Sequence, residues 1–254
     1  MKLSTVLASV NNNPTYYMFI PKQILFWQHF GIKFIAVLVG EKIPEELTPY
    51  APNIILWNHN LELNSAYVAQ NLRMYYTSLL DLPADEMVMI TDMDMLPMSA
   101  AYYISGLETF KMEDFIYYRN VDGNQIYMCY NAAHPTIWGK LFGIQSKEDI
   151  KQKMYENYNM HYNGTPCCYG WFIDQQIMYK NLIHYEHLQV LNRPIKRLEM
   201  EDYEKHLKNG DENFIKNYDD AHFHRSYFTN EAFILNAESQ LLQAEQLQAE
   251  PLQA

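Results

Sequence analysis

Basic residues are few in this chain. Nineteen Lys and Arg stand against 30 Asp and Glu, a formal net charge of −11. That balance excludes an extended nucleic-acid surface, because phosphate contacts need clustered cations. A local basic site for a small phosphorylated ligand is still allowed. Cysteine is scarce as well: Cys129, Cys167 and Cys168 make an odd set with two adjacent. Neither a disulfide framework nor a cysteine-spaced zinc site is expected from them, and a reducing compartment fits. Also missing is any run near the roughly eighteen apolar residues that read as a membrane span. The opening MKLSTVLASVNNN imitates a signal peptide, but its apolar stretch is short and carries Ser4, Thr5 and Ser9. It reads as a first strand.

What is present suffices for a full core. At 254 residues and 48% aliphatic and aromatic side chains, the chain fits one large α/β unit. Its 21 Tyr, 12 Phe and 4 Trp supply core packing first, and stacking surfaces for bases or sugars second. Over residues 1–100, strands at Ser4–Val10, Lys33–Gly40, Asn53–Asn58 and EMVMIT alternate with helices. The helices are YMFIPKQILFWQHFG, closed by Gly31, and SAYVAQNLRMYYTSLLDL, capped by Asn64 or Ser65, while NNNPTYY reads as a polar turn. Such alternation predicts a parallel sheet with right-handed crossovers. Residues 101–236 are less regular, with strands FIYYRNV and QIYMCYNAA and helices SKEDIKQKMYENYNM and FIDQQIMYKNLI. The expected fold class is α/β: a doubly wound, mostly parallel central sheet flanked by helices, with a smaller mixed sheet, all within residues 1–236. From Ala237 to Ala254 the chain repeats Leu-Gln-Ala-Glu without an aromatic residue. That composition predicts a linker or a solvent-washed helix rather than core, a tail starting near Asn236 and leading to further domains after residue 254.

The chemistry is concentrated in MVMITDMDMLPM, Met87–Met98. On a strand, residues two apart share a face. Asp92 and Asp94 would then lie side by side at the carboxyl end of a buried strand, where open α/β sheets bind ligands. Adjacent carboxylates repel unless a cation lies between them, and hard oxygens suit Mg²⁺ or Mn²⁺. The same tripeptide also arises at strand ends because Asp favours turns and Pro97 stops the strand. Elsewhere, the residues alone leave two roles open for each of two side chains: Arg73 is either an ordinary helix-surface arginine or part of the site, and Asp174 either a helix N-cap or part of the site. His222 and His224 alternate on one face of a strand, one of them free to ligate a metal.

In order and spacing these residues resemble the GT-A fold of nucleotide-sugar glycosyltransferases. ITDMDML is similar to the Asp-x-Asp motif that ends a central strand in those enzymes. Arg73, 19 residues before Asp92, resembles the donor-binding basic residue that lipopolysaccharide galactosyltransferases and glycogenin-like enzymes carry on the preceding helix. GWFIDQQIMY resembles their Asp-Gln helix start, and DAHFHRSY resembles the late His that completes their metal site, with Arg225 shortly after it. The layout is similar over residues 3–228, and it resembles the small glycosyltransferase domains of large algal viruses. The Lys-Pro-Trp ending of the galactosyltransferase group is missing, and the Met-rich motif is atypical.

The resemblance implies a hexosyltransferase-like enzyme with Mn²⁺ or Mg²⁺ held by Asp92, Asp94 and His222, with His224 as the alternative. It implies a UDP-sugar donor in contact with Arg73, Asp92, Met93, Gln175 and Arg225. Ser9, Val10, Asn11 and Asn12, in the loop after the first strand, would cradle its base and ribose. Asp174 would act at the reacting sugar, as general base if the reaction inverts or as a partner of the sugar hydroxyls if it retains. A glycan or glycoprotein acceptor would approach past YNAAHPTIWGKLFG and HYNGTPCCYGW, and the location would be cytoplasmic, in the host cytoplasm for a viral chain. Two other readings fit the Asp pair. One is a Mg²⁺-dependent haloacid-dehalogenase-like phosphohydrolase completed by Asp219 and Asp220, although Leu96 stands where that family wants Thr or Val. The other is a non-catalytic carbohydrate-binding domain that retains the fold.

Overall fold

The computed structural model describes residues 1–58, 62–165, 167–211, 214–224 and 226–249, with side chains to position 241. Four apolar segments set its frame. β1 (Lys2–Asn11), β2 (Lys33–Val39), β3 (Ile54–Trp57) and β4 (Glu86–Ile90) pair in parallel in the order β3-β2-β1-β4. A turn leads from β4 into β5 (Met95–Pro97), which belongs to a different sheet. The large sheet continues from β4 through β7 (Asn131–Ala133), β6 (Phe115–Tyr117) and β8 (Leu188–Val190), and of its seven strands only β7 runs against the rest. β9 (Arg197–Leu198) and β10 (Asp220–His222) join β5 in a mixed three-stranded sheet of order β5-β10-β9. This is the α/β class and sheet arrangement that the residue pattern predicts.

Both faces of the large sheet are covered, which is why its strands read as near-continuous apolar runs. Val6, Ala8 and Val10 of β1 pack with Phe26 and Trp27 of α2 (Ile20–His29), while Leu7 packs on the other face with Leu72 and Tyr75 of α3 (Ser65–Tyr76). Asn64 starts α3 by accepting the Ala66 N–H at 2.9 Å. α5 (Pro135–Phe142), α6 (Lys147–Asn157) and α7 (Ile173–Leu182) lie on the α3 side and bury part of its outer surface. Ser146 and Asp149 close a capping box on α6. The shorter α4 (Ala100–Ile104) and α8 (Met200–Lys208), and the long α9 (Tyr227–Ala249), pack on the α2 side.

Three expectations change. NNNPTYY is not only a turn: Asn13 accepts the Thr15 N–H and Pro14 opens the one-turn helix α1 (Pro14–Tyr17). QIYMCYNAA pairs only at its last three residues. Asp122 and Gln125 bridge to each other, and the Asn131 amide binds the carbonyls of Tyr127 and Met128, so the approach to β7 is not free to join the ladder. The boundary near Asn236 falls inside α9, which passes through that position unbroken. Ala237 and Leu241 are buried in the core, and Glu238 pairs with Lys22 of α2 at 2.5 Å. Residues 237–241 are therefore a docked helix face, while the side chains of the Leu-Gln-Ala-Glu repeat beyond them lie outside the described residues. Among the described residues no helix is long and apolar enough to cross a membrane.

Candidate active site

The strand that follows β1 in sequence lies on one side of it, and β4 lies on the other. This is the switch point at which open α/β sheets leave a crevice at the carboxyl ends of their strands. A cleft of about 240 Å³ opens there, lined by Ser9, Val10 and Asn11 from β1, Arg73 from α3, and Asp92, Met93 and Asp94 from the turn after β4. Asn12 faces an adjoining hollow with Gly40 and Lys42 instead. A wider hollow of about 420 Å³ on the edge of α2 and β2 has Lys33 as its single charged lining residue. The titratable groups gather in the narrower cleft.

The two aspartates come together differently from the strand expectation. β4 ends at Ile90, and the chain turns through Met93 and Asp94 before β5 begins. Their proximity is a property of the turn. What holds that turn is Gln23, fully buried on α2: its amide N–H groups bind the carbonyls of Met93 at 2.8 Å and Met95 at 2.6 Å. The Gln23 carbonyl in turn accepts the Trp27 indole N–H at 2.9 Å, which fixes the amide orientation. A buried backbone turn needs such partners, because an unpaired carbonyl there costs about 1–3 kcal/mol.

Arg73 is not a surface arginine. It is 8% exposed, and its guanidinium pairs with Asp92 through Nη1 and with Asp174 through Nη2, the latter at 2.8 Å. Burial works against its charge, but the two carboxylates outweigh that and raise its pKa. Burial pushes Asp92 up, and Arg73 outweighs it, leaving that carboxyl below the usual range. Asp94 has no such guanidinium. Desolvation, and then the Asp92 charge, push its carboxyl up to about 7. Its one ion-pair partner within 4 Å among the described residues is the His222 ring, Nε2 to Oδ2 at 3.9 Å. Burial, and then His224 and Arg197, push the His222 imidazole down to about 4, so it stays neutral and can offer a lone pair.

Asp174 is the main correction. It is not a helix cap: Phe172 holds the N-cap position of α7 without a side-chain bond. Nor does it face the cleft as a free base, since it is 1% exposed. One oxygen is taken by Arg73 and the other accepts the Gln175 N–H at 2.8 Å. Burial leaves its pKa raised, with Arg73 offsetting only part of that. Gln175 does not line the cleft either; its backbone carbonyl accepts the Ile126 N–H. His222 ends β10 beside the Asp turn, and the His224 ring lies tilted against it with centroids 3.9 Å apart. Arg225 lies outside the described residues.

Several cleft residues escaped the sequence reading. Gln70 sits one helical turn before Arg73 on the same face of α3, an i, i+3 relation that could have marked it. Its amide donates to the Trp171 carbonyl at 2.9 Å and accepts the Tyr162 hydroxyl at 2.8 Å, tying α3 to the loop opposite. Tyr16 and Asn13 line the cleft from the α1 turn. Gln23 gave no signal, because a lone Gln on an amphipathic helix reads as solvent-facing.

Among solved structures, the chain resembles the apo-form glycosyltransferase GlyE of Streptococcus pneumoniae TIGR4, with a TM-score of 0.50 and 13% identity. The match covers 95% of this chain and 62% of the GlyE chain. The fold is that of the GT-A glycosyltransferases. Two other structures align with this GT-A chain at 10% identity. One is a galactosyltransferase, LgtC, solved with donor and acceptor sugar analogues, at a TM-score of 0.49 over 98% of each chain. The other is a glycosyltransferase involved in glycosylation of the major capsid of PBCV-1, at a TM-score of 0.47 over 94% of this chain and 99% of that one. No protein-family model and no curated protein matches the sequence.

Proposed function

We propose that this chain is a cation-dependent glycosyltransferase that moves a sugar from a nucleoside diphosphate sugar, with UDP as the first candidate, to a hydroxyl of a carbohydrate or glycoprotein. The observation that carries this reading is the charge balance of the cleft. Asp92 and Asp174 share a single guanidinium, and Asp94 is left with only a neutral imidazole beside it. A diphosphate could not approach such a site without another positive charge. Asp92, Asp94 and His222 supply the donor types that Mn²⁺ or Mg²⁺ takes, carboxylate oxygens and one imidazole, although among the described residues these three do not bring their ligand atoms within 4.8 Å of one another. When bound, the ion would supply Lewis-acid stabilisation of the departing diphosphate.

The remaining roles belong to the chain itself. Arg73, locked by Asp92 and Asp174, presents a fixed positive charge that needs no reorganisation as the leaving group gains charge. Asp174 is a positioning residue in this arrangement rather than the proton acceptor. Ser9, Val10 and Asn11, with Asn12 beyond them, border the space for base and ribose, and Arg225 would add charge to the diphosphate. Tyr162 and Trp171, parallel at 6.3 Å between centroids, offer an aromatic surface to the acceptor side. The phosphohydrolase reading loses its acidic pair: Asp220 is fully buried and bound bidentately by Arg197, while an Asp219 carboxylate oxygen accepts the Lys196 N–H.

The experiment is a thermal-shift panel of UDP-, GDP- and dTDP-sugars with and without Mn²⁺, since ligands of the native state raise its melting temperature by mass action. A UDP-sugar with Mn²⁺ should give a larger shift than either alone, followed by sugar transfer in a glycan acceptor screen. Binding that ignores EDTA, with no turnover, would favour the non-catalytic reading. Phosphate release from sugar phosphates without a nucleotide would favour the hydrolase.

A further inference from the structure

The His222 ring has a second nitrogen, and it faces a different set of groups. Nδ1 lies 3.8 Å from Glu199 Oε2, and the same oxygen lies 3.0 Å from His224 Nε2. One ligand atom from each of Glu199, His222 and His224 falls within a 4.8 Å span. Glu199 stands at the N-cap of α8 yet makes no cap bond. Its Oε2 is buried and makes no hydrogen bond of acceptable geometry, the two imidazole nitrogens being its polar neighbours. A carboxylate oxygen left that way is costly unless a cation or a donor meets it. The His224 side chain is 67% exposed, so the cluster is reachable from solvent.

We propose that Glu199, His222 through Nδ1 and His224 through Nε2 form a second divalent-cation site, separate from the Asp92–Asp94 turn and suited to a borderline cation such as Zn²⁺. Two imidazoles and a carboxylate with an open fourth position are a donor set that zinc takes, whereas the oxygen-rich Asp turn suits Mn²⁺ or Mg²⁺. The far side of the ring is consistent with this. A metal-bound imidazole commonly directs its other N–H at a carboxylate, and Asp94 lies on that side of His222 at 3.9 Å. A neutral imidazole has one lone pair. With Zn²⁺ on Nδ1, Nε2 carries the hydrogen and cannot serve a cation at the Asp turn, so the second site opposes loading of the first. The Zn²⁺ site stands independently of the glycosyltransferase reading; only the antagonism rests on it.

The test titrates Zn²⁺ into the tag-free full chain against a chromophoric chelator. It compares wild type with Glu199→Gln, with His224→Ala at an exposed ring, and with an Asp92→Asn/Asp94→Asn double variant. Zn²⁺ affinity should fall by more than about a hundredfold in the first two, which lose a ligand, and by no more than about 10–100-fold in the double variant, which loses only the carboxylate behind the His222 ring. Stoichiometric Zn²⁺ should also weaken Mn²⁺ binding, read from the free-ion paramagnetic signal, in wild type but not in His224→Ala. Wild-type Zn²⁺ affinity in both single variants would overturn the site. So would loss of Zn²⁺ from the Asp double variant, which would mean a single shared centre. If Mn²⁺ binds no variant, the cation-dependent transfer reading fails while the Zn²⁺ comparison still decides this one.

Discussion

One wall of the cleft is made of β1, α3 and the turn after β4, and its charged groups are held from other elements: Arg73 by Asp92 and Asp174, the turn itself by Gln23. The wall opposite, residues 158–165 and 167–172, has no strand or helix, three residues with positive φ (Gly164, Cys167 and Gly170), and not one Asp, Glu, Lys or Arg. Its hydrogen bonds are mostly local turns, and Met160 and Tyr169 are 82% and 71% exposed. The contrast separates two physical tasks. Charges that must not move sit on regular elements in a low-dielectric setting, where pairing is strong. A surface that meets a variable, neutral ligand can be built from turns and rings at little cost to the fold.

The comparison breaks most visibly at Arg73. Arg73→Ala leaves the buried Asp174 and the half-buried Asp92 without their cation and should cost about 3–5 kcal/mol in chemical denaturation. Leu241→Ala, on the helix that closes the far side of the core, should cost about 2–5 kcal/mol, nearer the lower end because it lies toward the end of α9. A loss below about 0.5 kcal/mol there would restore the linker reading of the tail. Gln23→Ala should cost about 1–3 kcal/mol by orphaning the Met93 and Met95 carbonyls. It should also weaken Mn²⁺-dependent donor binding although Gln23 does not line the cleft.

Two further variants sharpen the contrast by separating folding from binding. Asp94→Asn should leave stability within about 0.5 kcal/mol, because it removes a carboxylate strained by its neighbour. Calorimetry should nevertheless show Mn²⁺-dependent nucleotide binding lost. Full retention of that binding would remove Asp94 from the metal site. On the loop wall, Tyr169→Ala should change stability by less than about 0.5 kcal/mol and alter only acceptor KM. A large drop in melting temperature would show that this loop carries framework duties after all.

The framework wall was the more legible of the two in sequence. Long apolar runs ending in polar residues gave β1, β2 and β4, the Asn64 cap gave the start of α3, and the Asp pair with Arg73 marked the cleft. Each of these is a local pattern with a fixed period or spacing. What escaped depends on partners far along the chain. Asp174 sits where a helix cap is common, and only the arrival of Arg73 from 101 residues away makes it an ion-pair residue. Gln23 is 70 residues from the carbonyl it binds at Met93. Glu199 follows a two-residue strand and carries no motif at all. The tail misled for the opposite reason: a repetitive composition hides that only one face of a helix needs apolar residues to dock.

Arg73 answers two carboxylates with two different nitrogens, and in sequence drift that makes positions 73, 92 and 174 behave as one inherited character. A lineage that alters any one of them leaves a buried charge uncompensated, so intermediates with a single change are disfavoured. Lysine offers no stepping stone, because an ammonium is a point charge and cannot span two directions as a planar fork does. Diverged copies of this chain should therefore sort by the identity of that triplet before they sort by overall similarity.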